Sequence, residues 1–255
     1  MHVEPVIGGV VDAVAVARSM RGSIGMLAMP WLMAESTQAQ AIERGLPAGH
    51  AAYAVGRLGV LGNCPVDNVV GAAFFWEPDY LRSRVIEGRS TTDPRDGAAV
   101  YTEICQEWGA ERLAGFDGVE RLAELCERVV DTASPLGAPL FVGWRDQPRP
   151  ADGPARAFQL CQVMRELRFS RHTVAVQAAG MSPLEAILSG PAGEWNADLF
   201  GWKRPFPDVS GSTVARELVE SATDRLHAHD LEVLGPDARA ELRALAKAAR
   251  AHAHA

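Results

Sequence analysis

The chain has 255 residues, 47% of them apolar and 22% charged, with a formal net charge of −7. This is the balance of an ordinary globular protein, long enough to bury a sizeable core without a disulfide or metal staple, and it excludes a disordered or membrane type. An acidic chain opposes phosphate with its own field, so nucleic-acid binding would need a local basic patch, and none stands out.

From the N-terminus, the apolar run after Glu4 lacks the basic leader of a signal peptide. No stretch reaches the roughly 18 to 20 apolar residues needed to cross a bilayer. A cytoplasmic protein with no membrane partner is expected. Helix punctuation recurs along the chain, whereas alternating β-branched and aromatic runs are nearly absent. Helices are therefore predicted over 6–21, 36–44, 48–59, 65–75, 78–87, 94–114, 118–132, 154–178, 183–189, 212–228 and 236–251.

The starts are read from caps. Asp93-Pro94 with Asp96 supplies a cap, a first-turn proline and a first-turn acid. Ser182 with Glu185 has capping-box spacing, and Asp117 with Glu120 is similar. In the helix from 154, Leu160, Val163, Met164 and Leu167 make an apolar face. In the helix from 212, Val214, Leu218, Ala222 and Leu226 form a stripe, which leaves Arg216, Glu220 and Asp224 as a solvated outer surface.

Two irregular stretches, 134–153 and 190–211, are rich in proline and glycine. They also hold Trp144, Trp195, Phe200, Trp202 and Phe206, which a bare linker would not need, so both are expected to pack back onto the helices. The expected fold is all-α, a multi-helix orthogonal bundle with these two long Pro/Gly/aromatic loops. An N-terminal helical half (1–133) and a C-terminal one (154–255) are joined by the irregular connection 134–153 and packed as one domain.

Cys64, Cys105, Cys126 and Cys161 are widely spaced, with no Cys-x-x-Cys pair, and read as reduced thiols. The His227/His229 and His252/His254 pairs place their rings on opposite sides of a helix. No zinc-site spacing, phosphate-loop ending or nucleophile elbow occurs. Neither a metal nor a cofactor is expected.

Separated stretches resemble an actinobacterial family of helical proteins labelled helix-turn-helix or MarR-like. They run from Gly56-Arg57-Leu58-Gly59-Val60-Leu61-Gly62 and Ala72-Ala73-Phe74-Phe75-Trp76-Glu77-Pro78 to Met164-Arg165-Glu166-Leu167-Arg168 with His172. Ala178 to Ala186 and Ser221 to Leu226 complete the set. Where that family carries a winged-helix-like segment, this chain has the compact 190–211 stretch. The resemblance implies a helical domain with a shared core and carries no activity across.

The segment 165–172 gathers a carboxylate, guanidinium groups and an imidazole. On one helix Arg165, Arg168 and His172 fall near one face, with Glu166 about 100° away. Glu166 and His172 are the acid/base candidates if the helix breaks near Phe169 or their partners come from elsewhere; otherwise the segment is a helix-end ion-pair network. Arg57, just before Gly59 and Gly62, is a candidate for gripping an anionic group where glycine lets backbone approach a ligand, or else a surface arginine at a helix end. Arg168 is a second anion grip. Trp76 and Trp202 are candidate pocket walls, with core packing as the alternative. Three functions follow: binding or acid/base transformation of an anionic small molecule, DNA-binding regulation, and partner binding by an amphipathic helix, including homodimerisation.

Overall fold

The computed structural model describes residues 8–254, and among them the chain forms helices and no strand. α1 (Gly8–Gly22) passes through Ser23 into the short α2 (Ile24–Ala28); the expected start at residue 6 lies outside the described residues. A 3-10 turn at Pro30–Met33 leads to α3 (Glu35–Glu43) and α4 (Gly49–Gly56). Next come α5 (Val66–Ala73), α6 (Pro78–Arg89), α7 (Pro94–Arg112) and α8 (Val119–Thr132). α9 (Pro139–Arg145), α10 (Gly153–Ala178), α11 (Pro183–Leu188) and α12 (Gly193–Leu199) follow, and α13 (Thr213–Asp230) and α14 (Pro236–Ala253) close the bundle. No described helix is long and apolar enough to cross a membrane.

Side chains cap the starts of α6, α7, α10 and α11, from Glu77, Asp93, Asp152 and Ser182. Asp93 accepts from the Arg95 amide at 2.8 Å, and Ser182 and Glu185 form a reciprocal capping box. The pattern at Asp117 fails. The N-cap of α8 is Gly118 at φ 91°, a left-handed conformation that glycine adopts freely and that leaves no side-chain cap. Each expected loop also condenses one short helix. In 134–153, Pro139 starts α9, and the burial of Leu140, Phe141 and Trp144 holds it; in 190–211, α12 buries Ala197.

α10 runs unbroken for 26 residues through the centre, packed by α2, α7, α8, α9 and α13. Leu160, Val163, Met164 and Leu167 are buried as their spacing demands, each worth about 1.5 to 3 kcal/mol. Being enclosed on several sides, α10 also buries Cys161, Gln162 and Glu166, and such polar groups must find partners inside. One cluster of buried side chains spans the helices on both sides of 134–153. A smaller cluster, Ala175, Val176, Met181, Ala186 and Val219, forms where α10, α11 and α13 meet. The four cysteines are unpaired; Cys105, Cys126 and Cys161 lie in the core, where burial pushes the Cys105 thiol up.

α13 follows its apolar stripe in its second half only, where Ala222 and Leu226 pack against the smaller cluster. Val214 and Leu218 are 68% and 60% exposed, whereas Asp224 is buried and Glu220 mostly so. The reason is electrostatic: arginines of α1 and α10 draw the two carboxylates inward. Arg18 and Arg168 meet Asp224 at 3.2 and 3.1 Å, and Arg21 meets Glu220 at 2.9 Å. Paired and hydrogen-bonded, these charges tolerate burial that either sign alone would not.

Candidate functional site

At the seam between the two clusters lies a cavity of about 310 Å³. α1 and α2 supply Met20, Ile24 and Met26. α10 supplies Met164, Phe169 and His172, and Phe75, Trp76, Phe200 and Ile187 complete the apolar wall. That size and apolar character are those of a small-molecule site.

The aromatic wall is set by a strained turn after α5. Phe74 has φ 42° and ψ −51°, and the Phe75 amide donates to the Ala73 carbonyl at 2.6 Å, the geometry of a tight three-residue turn that a bulky residue adopts only under constraint. The constraint comes from the 190–211 stretch: the Trp202 indole N–H donates to the Phe75 carbonyl at 2.9 Å, and the Glu77 amide donates to the Phe200 carbonyl at 3.0 Å. Trp202 thus stands behind the wall that it was expected to form, holding Phe75 in place. Trp76 is buried and lines the cavity, with its ring 5.0 Å from Phe200 and 5.1 Å from Tyr53.

The charged part of the lining is of one sign. Arg21, Arg57, Arg165, Arg168 and Arg216 line the cavity, and no aspartate or glutamate does among the described residues. The balancing carboxylates sit one layer back. Glu166 pairs with Arg57 and Arg165; Glu220 pairs with Arg21, Arg168 and Arg216; Asp224 pairs with Arg168 and Arg18. Six guanidinium groups share three carboxylates, so a locally cationic wall is built into an acidic protein. Arg168 also keeps a buried Nε–H with no hydrogen-bond partner among the described residues.

Arg57 is a buried arginine, and its fork grips a carboxylate of the chain itself. Its Nε and Nη2 reach Glu166 Oε1 and Oε2 at 2.8 and 2.6 Å, and Nη1 donates to the Tyr53 hydroxyl. Gly59 does permit a close backbone approach: its absent Cβ would stand 2.2 Å from the Pro94 carbonyl oxygen of α7. The approach joins two helices. Glu166 accepts from Arg57, Gln162 and Arg165, four hydrogen bonds that occupy both its oxygens. Burial alone would raise its pKa, but Arg57 and Arg165 outweigh burial and hold the carboxyl below its ordinary value. Glu166 is therefore ionised and fully engaged, and it is not among the residues that line the cavity.

His172 takes no part in that network. Its Nδ1 lies 2.9 Å from Thr223 Oγ1, and its ring stacks on Phe75 at 5.7 Å. Burial, helped by the charges of Arg216, Arg168 and Arg21 and opposed by Glu220, brings its pKa down to about 4. It is neutral at physiological pH. Because α10 does not break at Phe169, the expected acid/base couple of Glu166 and His172 does not assemble: each has its own partners.

The helical spacing of Arg165, Arg168 and His172 was the legible signal for this wall. Arg21 and Arg216 lie far away in the chain, and Phe75, Phe169 and Phe200 read equally well as core residues, so nothing local marks them. His227, also in the lining, bonds Asp230 at 3.3 Å. His229 points to solvent, and no group of residues able to hold a metal occurs among the described residues. Residues 17–210 match the model of a helix-turn-helix family. No curated protein and no solved structure matches the chain.

Proposed function

The chain belongs to the helix-turn-helix family, and on that helical frame we propose a small-molecule-binding protein whose cavity takes an organic anion with an apolar or aromatic body. The observation that carries this reading is the lining itself: an aromatic and methionine wall with five arginines and no carboxylate in contact with the space. Guanidinium groups with unspent N–H donors favour a carboxylate, sulfonate or phosphate. The apolar remainder favours a body that gives up water on entry. The reading is one of binding and not of acid/base turnover, because Glu166 has both oxygens occupied.

The test is a thermal-shift and calorimetric titration with 2-naphthoate, using 2-naphthylmethanol as the uncharged control. A binder of the folded state raises its apparent stability. The acid is expected to raise the melting temperature and the alcohol to leave it nearly unchanged. Equal shifts would remove the anion from the reading, and no shift from 2-naphthoate would count against the cavity as a site for this ligand class.

A second reading, DNA-binding regulation, draws on the family description. The pair α5 and α6, joined through 74–77, has three arginines on its second helix. Arg82 is paired with Asp67 and Asp79, Arg84 with Glu87, and Arg89 donates to the carbonyls of Cys64 and Gly62. A phosphate contact there would have to displace these partners. Anisotropy of a labelled duplex at low and moderate salt decides the matter: salt-sensitive binding supports regulation, and no binding at low salt removes it.

A further inference from the structure

The hydrogen bonds of Thr223 and His172 specify more of the ligand than its charge. Thr223 Oγ1 lies 2.8 Å from the Val219 carbonyl oxygen, four residues back on α13. A carbonyl can only accept, so the single hydroxyl proton of Thr223 is spent there. The contact at 2.9 Å between Thr223 Oγ1 and His172 Nδ1 then needs its proton from the imidazole. The neutral ring therefore carries its hydrogen on Nδ1, and Nε2 is a bare acceptor. No group among the described residues hydrogen-bonds Nε2, while His172 lines the cavity. The arginines of the wall offer only N–H groups, and His172 Nε2 is an acceptor beside them; the Asn196 amide and His227 are further polar side chains of the lining that can accept.

We propose that His172 Nε2 accepts a hydrogen bond from an uncharged donor on the ligand, so that the cavity selects hydroxy-substituted organic acids over their deoxy counterparts. This rests on the anion-binding reading of the same cavity. The donor must be uncharged because six guanidinium groups sharing three carboxylates repel an ammonium group. A hydroxyl near the acid group meets both demands: the arginines take the acid and the imidazole takes the hydroxyl proton. The stacking of His172 on Phe75 and its bond to Thr223 hold the ring in one orientation, so the acceptor is preorganised.

The experiment compares three acids by calorimetry on the full chain: 3-phenyllactate, 3-phenylpropionate and 2-methoxy-3-phenylpropionate. Phenyllactate is expected to bind about tenfold more tightly than the other two, the worth of one hydrogen bond to an otherwise unpaired acceptor. The variant His172→Asn keeps an N–H able to reach Thr223 but has no counterpart of Nε2. In it the advantage of phenyllactate is expected to vanish while the affinity for phenylpropionate is retained. Equal binding of the hydroxy and methoxy acids, or an advantage that survives in His172→Asn, overturns the hydroxyl assignment and leaves the anion site standing. Failure of all three acids to bind overturns both.

Discussion

Arg57 and Glu166, 109 residues apart in the chain, meet as a two-pronged pair at 2.8 and 2.6 Å with side-chain exposures of 2% and 0%. Tyr53, Gln162 and Arg165 complete their hydrogen bonds, and the Arg57 side chain lies over the Phe169 ring at 5.1 Å. The pair ties the end of α4 to the middle of α10 directly beneath the cavity. Burying it costs desolvation on both sides, so its worth lies in what happens when one half is removed.

Glu166→Gln removes the charge that Arg57 and Arg165 share and leaves two guanidinium groups facing each other in the interior. The expected loss is about 3 to 5 kcal/mol, as for other half-broken buried pairs. For a chain of this size that is a drop of the order of 10 °C in melting temperature. Urea denaturation of the variant measures it. A midpoint unchanged from the parent would mean that the pair carries no structural load.

The arginine wall and its carboxylates show what a single sequence conceals. The caps at Asp93 and Ser182 and the apolar face of α10 are local, because each depends on residues within two turns, and they appear where spacing puts them. α13 is a different matter. Its apolar stripe and its charged stripe are both legible, but that Glu220 and Asp224 turn inward beside Ala222 and Leu226 while Val214 and Leu218 turn out depends on Arg18, Arg21 and Arg168, whose positions only the fold determines. The cavity followed the same rule. Arg168, His172 and Trp76 are legible as chemistry, and Glu166 reads equally as an acid/base group or an ion-pair partner, because nothing near it in the sequence announces that Arg57 fills its oxygens. Trp202 stands behind the wall for a similar reason: its indole N–H is committed to the Phe75 carbonyl.

Stability is expected to fall as pH drops from about 6.5 toward 4, earlier than carboxylate titration alone would bring. His50, His172 and His227 all have pKa values lowered first by burial. In this window the unfolded chain binds protons that the folded chain refuses, so stability increases with pH at no more than about 1.4 kcal/mol per unit for each such histidine. The depressed carboxyls of Glu166, Glu220 and Asp230 act lower, their contribution being lost as pH falls from about 4.5 through their folded values. Urea midpoints between pH 4 and 8 should slope upward to about 6.5 and then level off. His172→Asn should flatten part of that slope, with His50 and His227 supplying the rest; an identical profile would place the proton uptake elsewhere.

Arg165→Met separates binding from folding. Arg165 makes one hydrogen bond to Glu166, at 2.9 Å, whereas Arg57 makes two to the same carboxylate, so the internal charge stays neutralised in the variant. Burial, opposed by Glu166 and reinforced by the Arg57 charge, holds Arg165 below the ordinary arginine value, as expected for a cation short of anionic partners. Affinity for 2-naphthoate is expected to fall 10- to 100-fold, the range of one charge-assisted hydrogen bond. Urea stability should change by less than about 1 kcal/mol. Undiminished affinity would assign the anion to Arg168, Arg21 and Arg216 alone.

Two glycine substitutions should have opposite signs, and the contrast tests the helix contact that supports Arg57. At Gly59 a Cβ would stand 2.2 Å from the Pro94 carbonyl oxygen and 3.3 Å from the Ala98 amide nitrogen, both backbone atoms of α7 that no rotamer change can move. Gly59→Ala must push apart the segment after Arg57 and the start of α7, at an expected cost of about 3 kcal/mol. Gly71 lies inside α5, exposed, with nothing within 4 Å of the added methyl group. Gly71→Ala should gain about 0.5 to 1 kcal/mol by restricting the unfolded chain and favouring the helix. If both substitutions cost alike, close packing would not be the reason for glycine at residue 59. If Gly59→Ala alone is costly and also weakens 2-naphthoate binding, the close approach of Gly59 to α7 is what holds Arg57, and through it Glu166 and Arg165, in register beneath the cavity.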